Sequence, residues 1–143
     1  MLNRRDFLLL FIGLPGDRYG LDRIRIMKGM FLFAESGFPK PGERYEFQPY
    51  DWGPFSREVY QDLEALQVAG LVAVLPEGSR YAEYRLTDLG GQHAERLKSV
   101  IADDAQRILG EIKATVTSKS FLELLEYVYE RHPRFADRSR LRR

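Results

Sequence analysis

Proline and glycine punctuate this chain, and where they fall limits what it can fold into more than any other feature of the sequence. Gly13-Leu14-Pro15-Gly16, the run Gly37 to Gly42 with its two prolines, the pair Pro49 and Pro54, Gly70, and Pro76 with Gly78 divide it into segments of helix or strand length. Proline fixes φ and removes a donor, and glycine supplies conformations other residues avoid. Each cluster therefore marks a stop or a turn, and the intervening apolar patterns identify the elements.

Arg4 to Leu14 is dense in Leu and Phe and reads as a buried helix. From Leu21 to Ser36, Ile24, Met27, Phe31 and Ala34 recur at three- and four-residue steps, the pattern of an amphipathic helix ended by Gly37. Tyr45 to Pro54 should be strand-like or irregular, since each proline pushes its predecessor away from helical angles. Pro54 suits the first turn of a third helix, about 54–69, with Phe55, Val59, Leu63 and Leu66 on one face. Leu71 to Leu75 and Tyr81 to Thr87 flank Pro76-Glu77-Gly78-Ser79-Arg80 as a hairpin, with Tyr84 and Leu86 inward and Glu83 and Arg85 outward.

Thr87 or Asp88 caps a fourth helix, where Gly90-Gly91 allows close packing on the hairpin. After a break near Ala102, Asp103 or Asp104 begins a helix with Ala105, Ile108, Ile112 and Val116 on one side. Ser120-Phe121-Leu122-Glu123 is a capping box opening a last helix that buries Leu124, Leu125 and Val128 and stops at His132, before Pro133.

The expected fold class is α+β, mainly α with a small β-hairpin. A winged helix-turn-helix core over about 4–90 is followed by a C-terminal helical extension over about 91–143, all in one domain. In this arrangement Phe55, Val59 and Leu66 pack on the Ile24 to Ala34 stripe, with the Pro76 to Arg80 hairpin projecting beside them.

Leu21-Asp22-Arg23-Ile24-Arg25-Ile26-Met27-Lys28, Tyr50-Asp51-Trp52-Gly53-Pro54-Phe55-Ser56-Arg57-Glu58-Val59-Tyr60 and Tyr84-Arg85-Leu86-Thr87-Asp88-Leu89-Gly90 resemble the YwgA-like bacterial and archaeal family. Tyr127-Val128-Tyr129-Glu130-Arg131-His132-Pro133 extends the likeness toward the end of the chain. More distantly the chain is similar to the Panacea (SocA-type) antitoxin domain. The resemblance implies a winged-helix-like fold without catalytic residues, found in regulators and in proteins that neutralise toxins by direct binding.

Composition narrows the chemistry. There is no cysteine, which excludes disulfides, thiolate metal sites and cysteine nucleophiles. His93 and His132 fall on different helices, without metal-ligand spacing. With no nucleophile-base pair or paired carboxylates either, the chain reads as a non-enzyme needing no cofactor and no metal. Asn3-Arg4-Arg5-Asp6-Phe7 looks like a twin-arginine export signal, but the apolar run after it is short and no small-x-small cleavage site follows. A core helix in a cytoplasmic, non-membrane protein is the expectation.

The formal net charge is +1, unevenly spread. Residues 1–40 hold seven basic and four acidic groups, 41–100 six and ten, and 101–143 nine and seven. If the third helix enters a DNA major groove, Arg57 and Gln61 are the candidate base contacts, Ser56 is a further candidate nucleic-acid contact, and Arg80 at the hairpin tip would meet backbone or minor groove. Arg23, Arg25 and Lys28, with Arg4, Arg5 and Arg18 nearby in sequence, form a candidate phosphate-positioning surface, and the six arginines from Arg131 onward could embrace phosphates. Against this, Glu58, Asp62 and Glu64 on the same third-helix face would repel phosphates. With Tyr50 and Trp52, Glu58 and Asp62 make an alternative surface for a protein partner such as a toxin or a defence-system subunit. Tyr45, Phe47, Tyr50 and Trp52 are also candidate stacking platforms for unpaired bases. Two readings follow: a DNA-binding regulator that pairs as a homodimer through its last helices, or a protein-interaction module.

Overall fold

Asn3 opens the first helix, α1 (Arg4–Gly13), by accepting the Asp6 N–H while the Asp6 carboxylate accepts the Asn3 N–H at 2.9 Å. In the computed structural model, which describes residues 1–76 and 81–140, Phe7 to Ile12 of this helix are buried without interruption. A helix apolar all round belongs at the centre of a fold, with neighbours on every side.

Asp22 caps α2 (Arg23–Glu35) through the Arg25 N–H at 2.8 Å. Its buried residues include Ile26, Met27, Met30, Phe31 and Phe33, whereas Ile24 and Ala34 of the expected stripe are only half-buried. The stripe was too narrow because α5 packs along α2 while Phe11 of α1 closes on Gly29.

A second small sheet is the main departure from expectation. After a 3-10 turn at Pro41–Glu43, β1 (Gln48–Tyr50) and β2 (Gly53–Phe55) pair antiparallel, with Pro49 opposite Pro54. Antiparallel ladders alternate bonded and non-bonded pairs, and two prolines facing each other occupy a non-bonded one, where neither needs an N–H. The left-handed conformation that lets the chain reverse falls on Gly53, at φ +93°. Pro54 is thus in a strand, not in the first turn of a helix, and α3 (Arg57–Val68) begins three residues later. Residues 36–56 separate α2 from α3, so no tight turn joins them.

Gly70 ends the α3 region at φ +77°. The expected hairpin follows as β3 (Val72–Leu75) and β4 (Glu83–Leu86), an antiparallel two-stranded sheet separate from the first. Thr87 caps α4 (Asp88–Lys98), its hydroxyl accepting the Gly90 N–H and donating to the Gly70 carbonyl. At Gly90 a Cβ would run into the Leu71 carbonyl, while Gly91 has nothing within 4 Å, so the expected close packing concerns Gly90 alone. The architecture is therefore mainly helical α+β, with two small sheets in place of one hairpin.

α5 (Asp103–Ser118) and α6 (Phe121–Arg131) follow, α6 opened by the Ser120–Glu123 capping box. Leu109, Val116, Leu124, Leu125, Val128 and Tyr129 join the core cluster that holds Phe7 to Ile12, Val59, Leu63 and Leu66. The apolar faces of the last two helices are therefore covered in part within the chain, while Leu122 stays 49% exposed. The buried face of α5 centres on Leu109, Lys113 and Val116; Ala105, Ile108 and Ile112 are half-buried.

Lys113 is in the core because its ammonium donates to the Phe11, Ile12 and Leu14 carbonyls at 3.1, 2.8 and 2.6 Å. The end of a helix leaves carbonyls without partners and carries partial negative charge, and a cation answers both. Arg25 does the same for α5. Its Nε donates to Val116 O at 3.0 Å and its Nη2 to Lys119 O at 2.8 Å, while Nη1 meets Asp22 Oδ2 at 2.5 Å.

Candidate functional site

The α3 helix turns Val59, Leu63 and Leu66 inward. With 3.6 residues per turn, this leaves Arg57, Gln61, Glu64 and Val68 as one ridge, and all four are exposed. On one flank of the ridge Tyr60 lies under the Arg23 guanidinium, 5.7 Å from the ring centroid. On the other flank is Asp62.

Asp62 is not on the surface as expected. It is 8% exposed, accepts the Tyr45 hydroxyl proton at 2.7 Å and is bound by Arg5 Nη2 at 3.1 Å. Burial, reinforced by the bond to Asp62, pushes the Tyr45 phenol up beyond the ordinary tyrosine range. Asp62 is thus spent inside the fold and its charge is answered by Arg5, so the exposed ridge is less acidic than the sequence suggested. Glu58 is half-buried beside it.

Three expected nucleic-acid contacts are likewise displaced from the surface. Ser56, at the N-cap of α3, is 3% exposed, and its Oγ has no hydrogen-bond partner among the described residues. Arg25, 8% exposed, is held by the α5 terminus and Asp22. Lys28, 4% exposed, makes no hydrogen bond or ion pair among the described residues. Positive charges spaced along an amphipathic helix read as a solvent face; here α5 and the β1–β2 hairpin cover that face. Arg23 remains exposed. Arg80, with Glu77, Gly78 and Ser79, lies outside the described residues.

The aromatic segment divides. Tyr45 is buried and Phe47 packs edge-on against Phe31 at 5.4 Å, so neither offers a free stacking face. Tyr50 and Trp52 are 48% and 45% exposed. They are fixed from behind, Trp52 against Phe121 at 5.8 Å and the hairpin turn by Arg140, whose backbone N–H and Nε donate to Asp51 at 2.9 and 3.0 Å. The segment after α6 is thus folded back as far as residue 140, with Phe135 and Ser139 buried. Arg142 and Arg143 lie outside the described residues. His132 packs on Phe31 with Nδ1 3.5 Å from Glu35, far along the chain from His93. No helix among the described residues is long and apolar enough to cross a membrane.

Burial lowers the Lys28 ammonium from 10.5 to about 8, against the weaker opposing field of Asp22. Below that value the folded and unfolded chains both carry the proton. Between about pH 8 and 10.5 the unfolded chain binds it and the folded chain does not, so stability rises with pH. The stability difference between wild type and Lys28→Met, measured by urea unfolding, should move in favour of wild type by about 2 kcal/mol from pH 7 to pH 9.5. The tyrosines common to both proteins cancel in that difference, and a flat difference would contradict the depressed value.

No protein-family model matches the chain and no curated protein matches it in sequence, so its function has to be argued from this geometry.

Proposed function

We propose that this chain is a non-catalytic regulatory protein of winged-helix type that binds duplex DNA, with α3 as the reading helix and the β3–β4 hairpin as the wing. The observation that carries the reading is the α3 ridge. Arg57 and Gln61 stand one turn apart on an exposed helix face, Arg23 flanks them, and the one carboxylate pointing inward is neutralised by Arg5. Arginine pairs with guanine and glutamine with adenine through two hydrogen bonds each, and Glu64 on the same ridge can accept from cytosine. The hairpin follows α3 directly in the chain, the order a winged helix requires. The resemblance to the YwgA-like family belongs to the same reading.

Fluorescence anisotropy with a labelled mixed-sequence duplex tests it. Binding should weaken steeply between low and physiological salt. Arg57→Ala should cost about 1–3 kcal/mol in affinity, and Arg23→Ala should lower the salt slope by about one. Failure to bind any duplex at low salt would reject the reading.

A second reading, a module that binds a protein such as a toxin or a defence-system subunit, is favoured by one observation: Tyr50 and Trp52 stand half-exposed on a hairpin tied to Arg140. Large aromatics on a fixed support concentrate binding energy. In that case Trp52→Ala would abolish a stoichiometric, nuclease-insensitive complex that Arg57→Ala leaves intact.

A further inference from the structure

Among the described residues three cations are buried, and two have an evident purpose. Arg25 and Lys113 each close the carbonyl end of a helix. Lys28 is as deeply buried as Lys113, yet among the described residues nothing accepts a hydrogen bond from its ammonium. The carboxylate whose field reaches it, Asp22, is already held by Arg25 at 2.5 Å. A buried charge without a partner is costly, and folds that keep one ordinarily give it something to hold.

Lys28 lines a cleft of about 250 Å3 between the first turns of α2, the β1–β2 hairpin and Tyr60 of α3. Arg23 is the second cation in its wall and no carboxylate lines it. Most of the remaining lining is aromatic: Tyr50 and Phe55 lie 5.2 Å apart, Phe55 and Tyr60 5.5 Å apart, and Trp52 closes the rim, with Ile24, Met27 and Pro54 completing an apolar wall. Small-ligand sites are concave and mostly apolar, with a few convergent polar groups that fix orientation. The larger cleft, about 620 Å3 beside the end of α1 and β4, lacks this feature, because its buried amine, Lys113, is fully engaged by three carbonyls.

We propose that this cleft binds a small aromatic carboxylate, its acid group taken by Lys28 with Arg23 and its ring laid among Tyr50, Trp52, Phe55 and Tyr60. The volume suits one ring with a short acid arm. A bound acid would supply the acceptor that Lys28 lacks, and a ring would cover aromatic surface that water now meets.

Trp52 is the chain's single tryptophan, so its emission reports on the cleft without a label. The full-length protein is titrated with phenylacetate and benzoate, and in parallel with phenylacetamide and benzamide, which keep the ring and lose the charge. The acids should change the emission saturably, with the affinity confirmed by calorimetry, and the amides should bind at least about tenfold more weakly. Lys28→Met keeps the aliphatic stem and should lower affinity for the acids by about tenfold or more. Arg23→Gln, at an exposed position, should weaken it by less. Lys98→Met, a surface lysine paired with Glu95, should change nothing. Equal binding of acids and amides by the wild-type protein overturns the proposal whether or not the Lys28 variant folds. So does the absence of saturation with either acid in the millimolar range.

Discussion

Replacing Arg25 with methionine should destabilise the protein by about 3–5 kcal/mol, the cost of removing one member of a buried ion pair. The substitution leaves the Asp22 carboxylate, 8% exposed as a side chain, without its guanidinium partner and with only the backbone N–H it caps, and strips the Val116 and Lys119 carbonyls of their donors. A domain of this size has roughly 5–15 kcal/mol in total, so the loss is a large fraction of its stability. Thermal unfolding should move down by roughly 10–20 °C. Adding Asp22→Asn, which removes the orphaned charge and keeps a capping oxygen, should restore part of the loss. An Arg25→Met protein within about 1 kcal/mol of wild type would mean that the pair and the cap contribute little.

The second large effect is at Gly90, with a control one residue away. A Cβ at Gly90 meets the Leu71 carbonyl oxygen and the backbone behind it. That oxygen also accepts the Thr87 N–H at 3.1 Å, which ties the root of β4 to the exit of α3. Backbone cannot rotate aside as a side chain can, so Gly90→Ala should cost about 1–3 kcal/mol or more. Gly91, on the same helix, has open space around it. There alanine should stabilise by about 0.5–1 kcal/mol through its better helix propensity. Urea unfolding of the two variants reads both signs at once, and equal effects would contradict the packing.

These two sites also mark how far the sequence could be read. Local signals were legible. Ser120 with Glu123 and then Pro133 located α6, Gly70 marked the end of α3, and the apolar run from Phe7 to Ile12 declared a buried helix. Burial of charge was not legible, because it depends on partners far away in sequence. Arg25, Lys28 and Asp62 each sit at a spacing that reads as a solvent face until α5, the β1–β2 hairpin and Arg5 close over them. Asp22 and Arg25, three apart at a helix start, were the one hint of a paired charge. The β1–β2 sheet was hidden by its two prolines, since facing prolines satisfy a ladder only in one register. The exposure of Arg57, Gln61, Tyr50 and Trp52 followed from local pattern, whereas the cleft around Lys28 needed three elements brought together.

The helix-capping cations have a consequence for how the chain is made. Lys113 closes α1 over a sequence separation of 102 residues and Arg25 closes α5 over 91. Contacts this distant form late and slow a fold's assembly. During synthesis, at roughly 5–20 residues per second, the oily first helix leaves the ribosome roughly 5–20 seconds before the lysine that finishes it. For that interval the nascent chain depends on whatever shelters exposed Phe and Leu in the cell.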